Sequence, residues 1–461
     1  MKLTVIGGGG IRSPLLVSSM LRRSERINLE EICLMDIDAD KLEIIGGLCQ
    51  ELAKKAGTSV QITTTTDARA AVRDAGYIVM TIRVGAEGGR VLDERIALKH
   101  GILGQETTGP GGFAMALRRI PANLGYAKLI QEISPDAWIF NFTNPAGLVM
   151  QALCDSGFSR VVGICDSANL AQHAVADWLG LPADQVRAET YGLNHLSWTR
   201  RVLVNGKDVL PPLLLNPEFL SKYELNVFEP ELVERMGVWL NEYLYYYYYA
   251  ERAVESISSA EQTRGEEIMQ LNQLLLNQLR TVDIENNPDE ALDLYFNYNR
   301  RRRSTYMHYA HTDAGTKKEV SRKAEEITTG KPDSNGDGYA GVALSLIEAF
   351  ESNQSLHIAL NTTNDGAINC MRSEDVVEVS CTVGKDGIHA LPIGDVPENH
   401  ELLMRMVKYY ERLTVKAIFN CSRDIAVMAL MSHPLVLSYS RAKILVDEYL
   451  EAHAPYIGDW H

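Results

Sequence analysis

Short apolar runs ending in polar or glycine-rich turns recur through the first half of the chain, and segments with apolar positions three and four apart lie between them. LTVIGG at 2–7 reads as a buried strand, followed by a helix from about Pro14 to Arg23. EICLMDID (Glu31–Asp38) reads as a second strand that ends in acids, followed by a helix from Lys41 to Ala56. QITTTT (Gln61–Thr66) is a third strand, TDARAAVRDA a helix and YIVMTI (Tyr77–Ile82) a fourth strand; AWIFNFTN and RVVGICD, each preceded by a helix, continue the series. Strands alternating with helices predict a doubly wound parallel sheet. The pattern changes after about Pro212. Residues 217–330 are polar and mostly helical by periodicity, KPDSNGDG at 331–338 is a loop, VVEVSCTV (Val376–Val383) alternates as a strand, and 399–453 reads as two long helices.

The expected fold class is therefore α/β: a Rossmann-like doubly wound sheet in residues 1–195, joined to a mixed α+β, largely helical domain in 196–461 that carries substrate and assembly contacts. A chain of 461 residues is long for one core and suits two joined domains. Composition narrows the function. The net charge of −15 disfavours nucleic acid as a partner, and the one basic run, Arg300–Arg303, reads as an isolated, solvated helix face. No apolar run approaches the ~20 residues of a membrane span, and MKLTVIGGGG enters a strand without a leader pattern, so the expected compartment is the cytoplasm. Seven scattered cysteines then read as free thiols, most of them small core residues.

Four groups of residues carry chemistry. In VIGGGG (Val5–Gly10), Gly7 and Gly9 fit the first two positions of a dinucleotide fingerprint, while Arg12 stands where a third glycine is usual. Such a loop alone is weak evidence. It gains weight because it follows a strand and opens a helix, and because Asp36 ends the second strand, where an acid favours NAD over NADP. Gly7, Gly9, Gly10, Ile11, Arg12 and Asp36 are the candidate cofactor contacts. NFTNPAG, GICDS and GLNHLSW each end an apolar run at a turn and present Asn144, Cys165 and His195. A thiolate and an imidazole make half of a transition-metal site, to be completed by substrate oxygens and water; a buried cysteine and a core histidine are the plainer alternative. The run Tyr245–Tyr249 continues from Tyr243, and on a helix Tyr243, Tyr246 and Tyr247 share one face. That stripe is core packing or, at a tyrosine beside a metal-bound oxyanion, a general base. Arg83 and Arg95 are candidate anion contacts, although Arg95 alone also suits a surface salt bridge.

Taken together, IGGGG with its proline, RVG…DERIALKHGILGQETTGPGGFAMALRRIP at 83–121, NFTNPAG, VVGICD, GLNHLSW and YLYYYYY resemble glycoside hydrolase family 4, over nearly the whole chain. The resemblance implies an NAD- and metal-dependent glycosidase, with manganese as the suggested ion. The form GQETTGPGG is similar to the 6-phospho-β-glucosidase branch; α-specific branches commonly carry cysteine where Thr108 stands. By motif, Cys165 and His195 hold the metal, Asn144 binds the sugar and Tyr243 is the base. The implied reaction oxidises C3 with NAD, removes the acidified C2 proton, expels the aglycone from C1, adds water and returns the hydride. The expected partner is a small-molecule glycoside, and the expected assembly is a homodimer or homotetramer. Three departures stand out: Gly10-Ile11-Arg12-Ser13 in place of a serine-rich start, Leu240 in place of a proline, and Ser334-Asn335-Gly336 where an Arg-Gly-Gly segment is frequent. Non-phosphorylated or α-linked glycosides, and a plain NAD-dependent 2-hydroxy acid dehydrogenase, are the alternatives.

Overall fold

A computed structural model of the protein describes residues 1–307, 310, 338–353 and 355–461. Of the expected loop at 331–338, residues 331–337, with the Ser334-Asn335-Gly336 segment, lie outside the described residues, and Gly338 instead begins the helix Gly338–Glu351. Six parallel strands form the first half of a large sheet: β1 (Lys2–Ile6), β2 (Glu31–Met35), β3 (Gln61–Thr65), β4 (Ala75–Met80), β5 (Trp138–Asn141) and β6 (Val161–Gly163). Their spatial order is β3-β2-β1-β4-β5-β6, the dinucleotide-fold order, and it reverses between β1 and β4. Leu3, Val5, Ile6, Leu34, Ile78, Val79 and Met80 are buried, because helices cover both faces and leave no solvated side to alternate toward.

Two further groups of strands build on this frame. β7 (Val186–Leu193) and β8 (Leu196–Val204) form an antiparallel hairpin; β9 (Lys207–Asp208) and β10 (Trp239–Leu240) pair with β8. The expected domain division after residue 195 falls at the hairpin tip, Asn194-His195. From the C-terminal half, β11 (Leu356–Thr363), β12 (Val376–Gly384) and β13 (Gly387–Ala390) extend the first sheet antiparallel, β11 meeting β6 at the Asn361–Gly163 pair. The sheets are tied where Ser380 Oγ on β12 accepts from Thr190 N (2.9 Å) and donates to Ala188 O (2.8 Å) on β7. The hairpin is thereby anchored beside the carboxyl ends of the parallel strands.

The stretch 399–453, expected as two long helices, holds three, Glu398–Asn420, Arg423–Ser432 and Tyr439–Ala452, and the short helix Ala454–Ile457 follows. The first ends where Cys421 turns left-handed (φ 47°), and Pro434 follows the second. Among the described residues, no helix is long and apolar enough to cross a membrane.

Candidate active site

The carboxyl ends of β1, β4, β5 and β6 bring the glycine loop, Arg83, Asn144 and Cys165 to one rim. At β1 the loop packs on β2: Gly7 N and Gly8 N both donate to Met35 O (2.9 and 2.8 Å). Gly9 N donates to Asp36 Oδ2 (3.0 Å), and Asp36 Oδ1 accepts from Asp38 N (3.1 Å). A Cβ on Gly9 would lie 3.0 Å from that carboxylate, so the close approach needs glycine. Gly10 and Arg12 are exposed and Ile11 is buried. Ile11 O accepts from the Tyr295 hydroxyl (2.9 Å), so the helix Pro288–Ser304 braces the loop from the other half of the chain.

Tyr295, Tyr298 and Arg302 are spaced three and four apart on that helix. Arg302 Nη1 donates to the Tyr298 hydroxyl (3.1 Å), which donates to Asn272 (2.5 Å). Burial and the neighbouring charges of Arg12 and Arg83 lower the Arg302 pKa. The basic run expected to be a solvated face is therefore divided: Arg301 and Arg303 are exposed, while Arg302 is half-buried against Tyr298. Arg83 itself pairs with Glu106 (3.0 Å) and Glu87 (3.5 Å). Glu106 also takes Arg90 (3.2 Å), and against its burial these arginines, with Arg119, hold its carboxyl below the ordinary range. Arg95 does not join them. It lies exposed on the helix Ala86–Lys99 and chelates Glu266 (2.8 and 2.5 Å).

Asn144 follows β5. Its carbonyl accepts from Arg119 Nη1 (2.6 Å) and its side-chain oxygen from Ala146 N (3.3 Å). Cys165 follows β6 and is 2% exposed. Burial, reinforced by the negative charges of Glu378, Asp166 and Glu242, holds its thiol well above the usual pKa. His195 occupies the hairpin tip at φ 62° and is 5% exposed. Burial pushes its pKa down to about 4, so the ring is neutral at physiological pH. Its Nδ1 lies 3.0 Å from Thr107 Oγ1, which leaves Nε2 as the ring nitrogen for a ligand. The rings of His195 and Tyr243 stack nearly parallel, with centroids 3.7 Å apart.

The tyrosine run is not one helix. Glu242–Leu244 is a 3₁₀ turn and the α-helical turn spans Tyr245–Tyr248; Tyr243 and Tyr246 stay in ring contact (centroids 5.8 Å), while Tyr247 turns away from them. Tyr246 is 3% exposed, and Tyr247 turns to His433 behind the site (centroids 6.1 Å). A small cavity of about 20 Å³, room for a single water, lies there between His195, Thr107, Tyr247, Glu411 and His433.

Sequence reasoning missed four groups, three of them buried and one, Tyr306, exposed. Glu242, beside Tyr243, accepts from Ser167 Oγ (2.8 Å), its other oxygen has no partner among the described residues, and burial pushes its pKa up to about 8. Tyr306 donates toward Glu242 and toward the Tyr243 hydroxyl (3.4 Å each). Glu378 on β12 is fully buried with its pKa pushed up to about 7, again by burial. Arg119 is lowered to about 9 by burial and the charge of Arg83. For Glu378, an acid at the centre of the apolar strand VVEVSCTV was the available signal.

Comparison with known proteins follows the same outline. The family model described as family 4 glycosyl hydrolase matches residues 2–181, and that of the family 4 glycosyl hydrolase C-terminal domain matches 190–436. A 6-phospho-β-glucosidase of Thermotoga maritima is 31% identical over 459 residues, covering 99% of both chains. A phospho-α-glucosidase of Clostridium acetobutylicum is 29% identical over 477 residues, covering 100% of this chain and 99% of its own. The solved structure of the Thermotoga maritima 6-phospho-β-glucosidase with manganese, NAD⁺ and glucose-6-phosphate superimposes with a TM-score of 0.82 at 30% identity, again over 99% of both chains.

Proposed function

This chain belongs to the family 4 glycosyl hydrolases, and on that premise we propose that it cleaves 6-phospho-β-glucosides with the aid of NAD and a divalent metal ion, manganese the first candidate. The observation that carries the reading is the Tyr243–His195 stack at the rim where Cys165, Asn144 and the glycine loop emerge.

The residues fit both groups. At the nucleotide end the tight Gly9–Asp36 approach leaves a narrow backbone cradle, and Ile37, beside Asp36, is 81% exposed, as an apolar plate for an adenine ring would be. At the metal end His195 is neutral with Nε2 available, and Cys165 is a protonated thiol that a cation would have to deprotonate. Among the described residues no cluster of three or more His, Cys, Asp or Glu is arranged to hold a metal, which accords with an open site completed by substrate oxygens. When bound, NAD supplies a hydride acceptor that later returns the hydride, and the metal supplies a Lewis acid beside the sugar hydroxyls. The chain does the rest. Thr107 fixes the His195 ring, Arg119 orients the Asn144 backbone, and Tyr243 takes the proton from C2 of the sugar. The test is aryl 6-phospho-β-glucoside release by enzyme stripped of nucleotide and treated with chelator. Activity should return only with NAD and manganese together, without net NADH; full turnover of the stripped enzyme refutes the reading.

The phosphate assignment is read from Arg302, whose pKa is lowered by burial and in part by the charges of Arg12 and Arg83, the latter already paired with Glu87 and Glu106. A dianion there gains charge-assisted hydrogen bonds. For an aryl β-glucoside with the 6-phosphate, kcat/KM should exceed that of the unphosphorylated sugar. Arg302→Ala or Arg12→Ala should remove roughly 10²-fold of that advantage, about 3 kcal/mol for a charge-assisted contact. Equal turnover of both sugars overturns the phosphate assignment alone. The preference for β over α is read from the Thr108 form of the GQETTGPGG segment, and α-anomer turnover checks it.

A further inference from the structure

The proposed metal ligands and base come from three separate places in the fold: a strand exit, a hairpin tip and a 3₁₀ turn. One carboxylate links all three. Glu378 Oε1 accepts from Asn194 Nδ2, next to His195, and from Asn361 Nδ2 (3.1 Å each). Its Oε2 accepts from Ser197 Oγ (2.7 Å), on the other side of the hairpin tip. Ser197 Oγ in turn accepts from Asn241 Nδ2 (3.2 Å), and Asn241 Oδ1 accepts from the backbone N–H of Tyr243 (3.0 Å). Asn241 N also donates to Ser197 O (3.1 Å). The third arm reaches the cysteine strand. Asn361 pairs with Gly163, two residues before Cys165, and a Cβ on Gly163 would come within 2.7 Å of the Asn361 Cβ. Glu378, Asn361, Ser197 and Asn241 are all at most 3% exposed.

Burying a carboxylate is costly unless several donors converge on it. Three side-chain donors from two sheets do so here, and the residues they come from flank the groups assigned to metal binding and proton transfer. We propose that Glu378 is a positioning residue that sets the mutual register of His195, Tyr243 and the Cys165 strand through Asn194, Ser197–Asn241 and Asn361. The inference rests on the functional reading above. His195 sits in left-handed backbone at the hairpin tip, where the strain must be held by surrounding contacts. Glu378 grips that tip on both sides, and Asn241 passes the grip on to the Tyr243 turn.

The test uses the full chain, Mn²⁺ alone as the metal probe, and an aryl 6-phospho-β-glucoside deuterated at C2. Glu378→Gln should weaken Mn²⁺ binding, measured without substrate, by roughly 10- to 100-fold, the usual range for a group that orients a ligand. It should also slow deuterium washout about tenfold, a modest shift in the placement of the base. Asn241→Ala should slow washout comparably while leaving Mn²⁺ affinity at the wild-type value. The double variant should be no slower than the slower single, because both act through one chain of bonds. Cys381→Ala, equally buried on the same strand but on its opposite face and outside the network, should change neither readout. Additive losses in the cycle, or a Glu378→Gln protein with a lowered Tm but wild-type Mn²⁺ affinity and washout, overturn the proposal. If Glu378→Gln does not fold, Ser197→Ala cuts the same link at its middle. Washout slowed as in Asn241→Ala supports the proposal, and unchanged washout overturns it. Absence of washout from the wild-type enzyme would instead refute the functional reading, and the Mn²⁺ titration would still decide whether Glu378 holds the hairpin tip.

Discussion

The rim has two halves built on different principles. The β1–β2 half is made of backbone: Gly7 and Gly8 share one carbonyl, and Gly9 lies against Asp36 at a distance only glycine allows. The half around β6, the β7–β8 tip and the Tyr243 turn is made of buried side chains, with His195, Glu242 and Glu378 displaced from their ordinary pKa values by burial. The first recognises a ligand by shape and backbone donors. The second holds charge and protons where water has been excluded, which is where catalytic groups acquire unusual protonation states. Substitutions in the second half should therefore act on chemistry, and those in the first on nucleotide affinity.

The sharpest break in this contrast is Cys165→Ser or His195→Ala. Each removes a proposed metal ligand; Cys165→Ser leaves packing nearly intact, whereas His195→Ala also removes the buried ring stacked on Tyr243. Loss of Lewis-acid stabilisation of several kcal/mol corresponds to roughly 10³-fold or more in kcat. Circular dichroism should match the wild type in both, with Tm lowered only in His195→Ala, while Mn²⁺ binding is lost; normal Mn²⁺ binding and turnover by either variant would end the metal assignment.

Tyr243→Phe comes next. Only a hydroxyl is removed, and the ring stack on His195 survives, so substrate affinity should hold. Positioned general bases contribute on the order of 10²- to 10⁴-fold, and C2 deuterium washout should slow by at least the lower figure. An unchanged rate moves the base elsewhere, with Tyr246 the less suitable neighbour because burial raises its pKa far above the usual value.

The same division explains what could be read from sequence. The parallel strands, the glycine loop and the turns bearing Asn144, Cys165 and His195 are local patterns of apolar runs stopped by polar residues, so periodicity finds them. The stacking of Tyr243 on His195 was not legible, because it depends on a hairpin and a 3₁₀ turn nearly fifty residues apart. Arg302 was misjudged for a similar reason. A run of four arginines looks solvated, yet the Tyr295–Tyr298–Arg302 spacing turns one of them inward. Glu378 left a single trace, an acid in an apolar strand, whose meaning appears only when Asn194, Ser197 and Asn361 converge on it.

Gly9→Ala probes the backbone half. The new methyl would sit 3.0 Å from the Asp36 carboxylate and push apart the loop and the acid expected to meet the ribose. The Kd for NAD should rise by roughly tenfold, equivalent to about 1.4 kcal/mol, while Mn²⁺ affinity stays unchanged. A variant that loses Mn²⁺ binding as well would show the two halves to be one cooperative unit.

The smallest effect belongs to Arg95→Ala, and its smallness is informative. Sequence placed Arg95 among the anion contacts, and the structure places it on the outer face of its helix, bidentate to Glu266. Glu266 has a second task in the capping box of the helix Arg264–Leu279, accepting from Thr263 N (2.9 Å), so it stays ordered without its arginine. Exposed ion pairs contribute about 0–1 kcal/mol, and a side chain 42% exposed belongs to that class. Stability should fall by less than about 1 kcal/mol, no more than ~2–4 °C in Tm for a chain of this size. The ratio of kcat/KM between phosphorylated and unphosphorylated glucoside should be unchanged, whereas Arg302→Ala lowers it. A phosphate-selective loss in Arg95→Ala would mean that the Glu266 pair opens when substrate binds and that the anion site extends beyond the rim drawn by Arg12, Arg83 and Arg302.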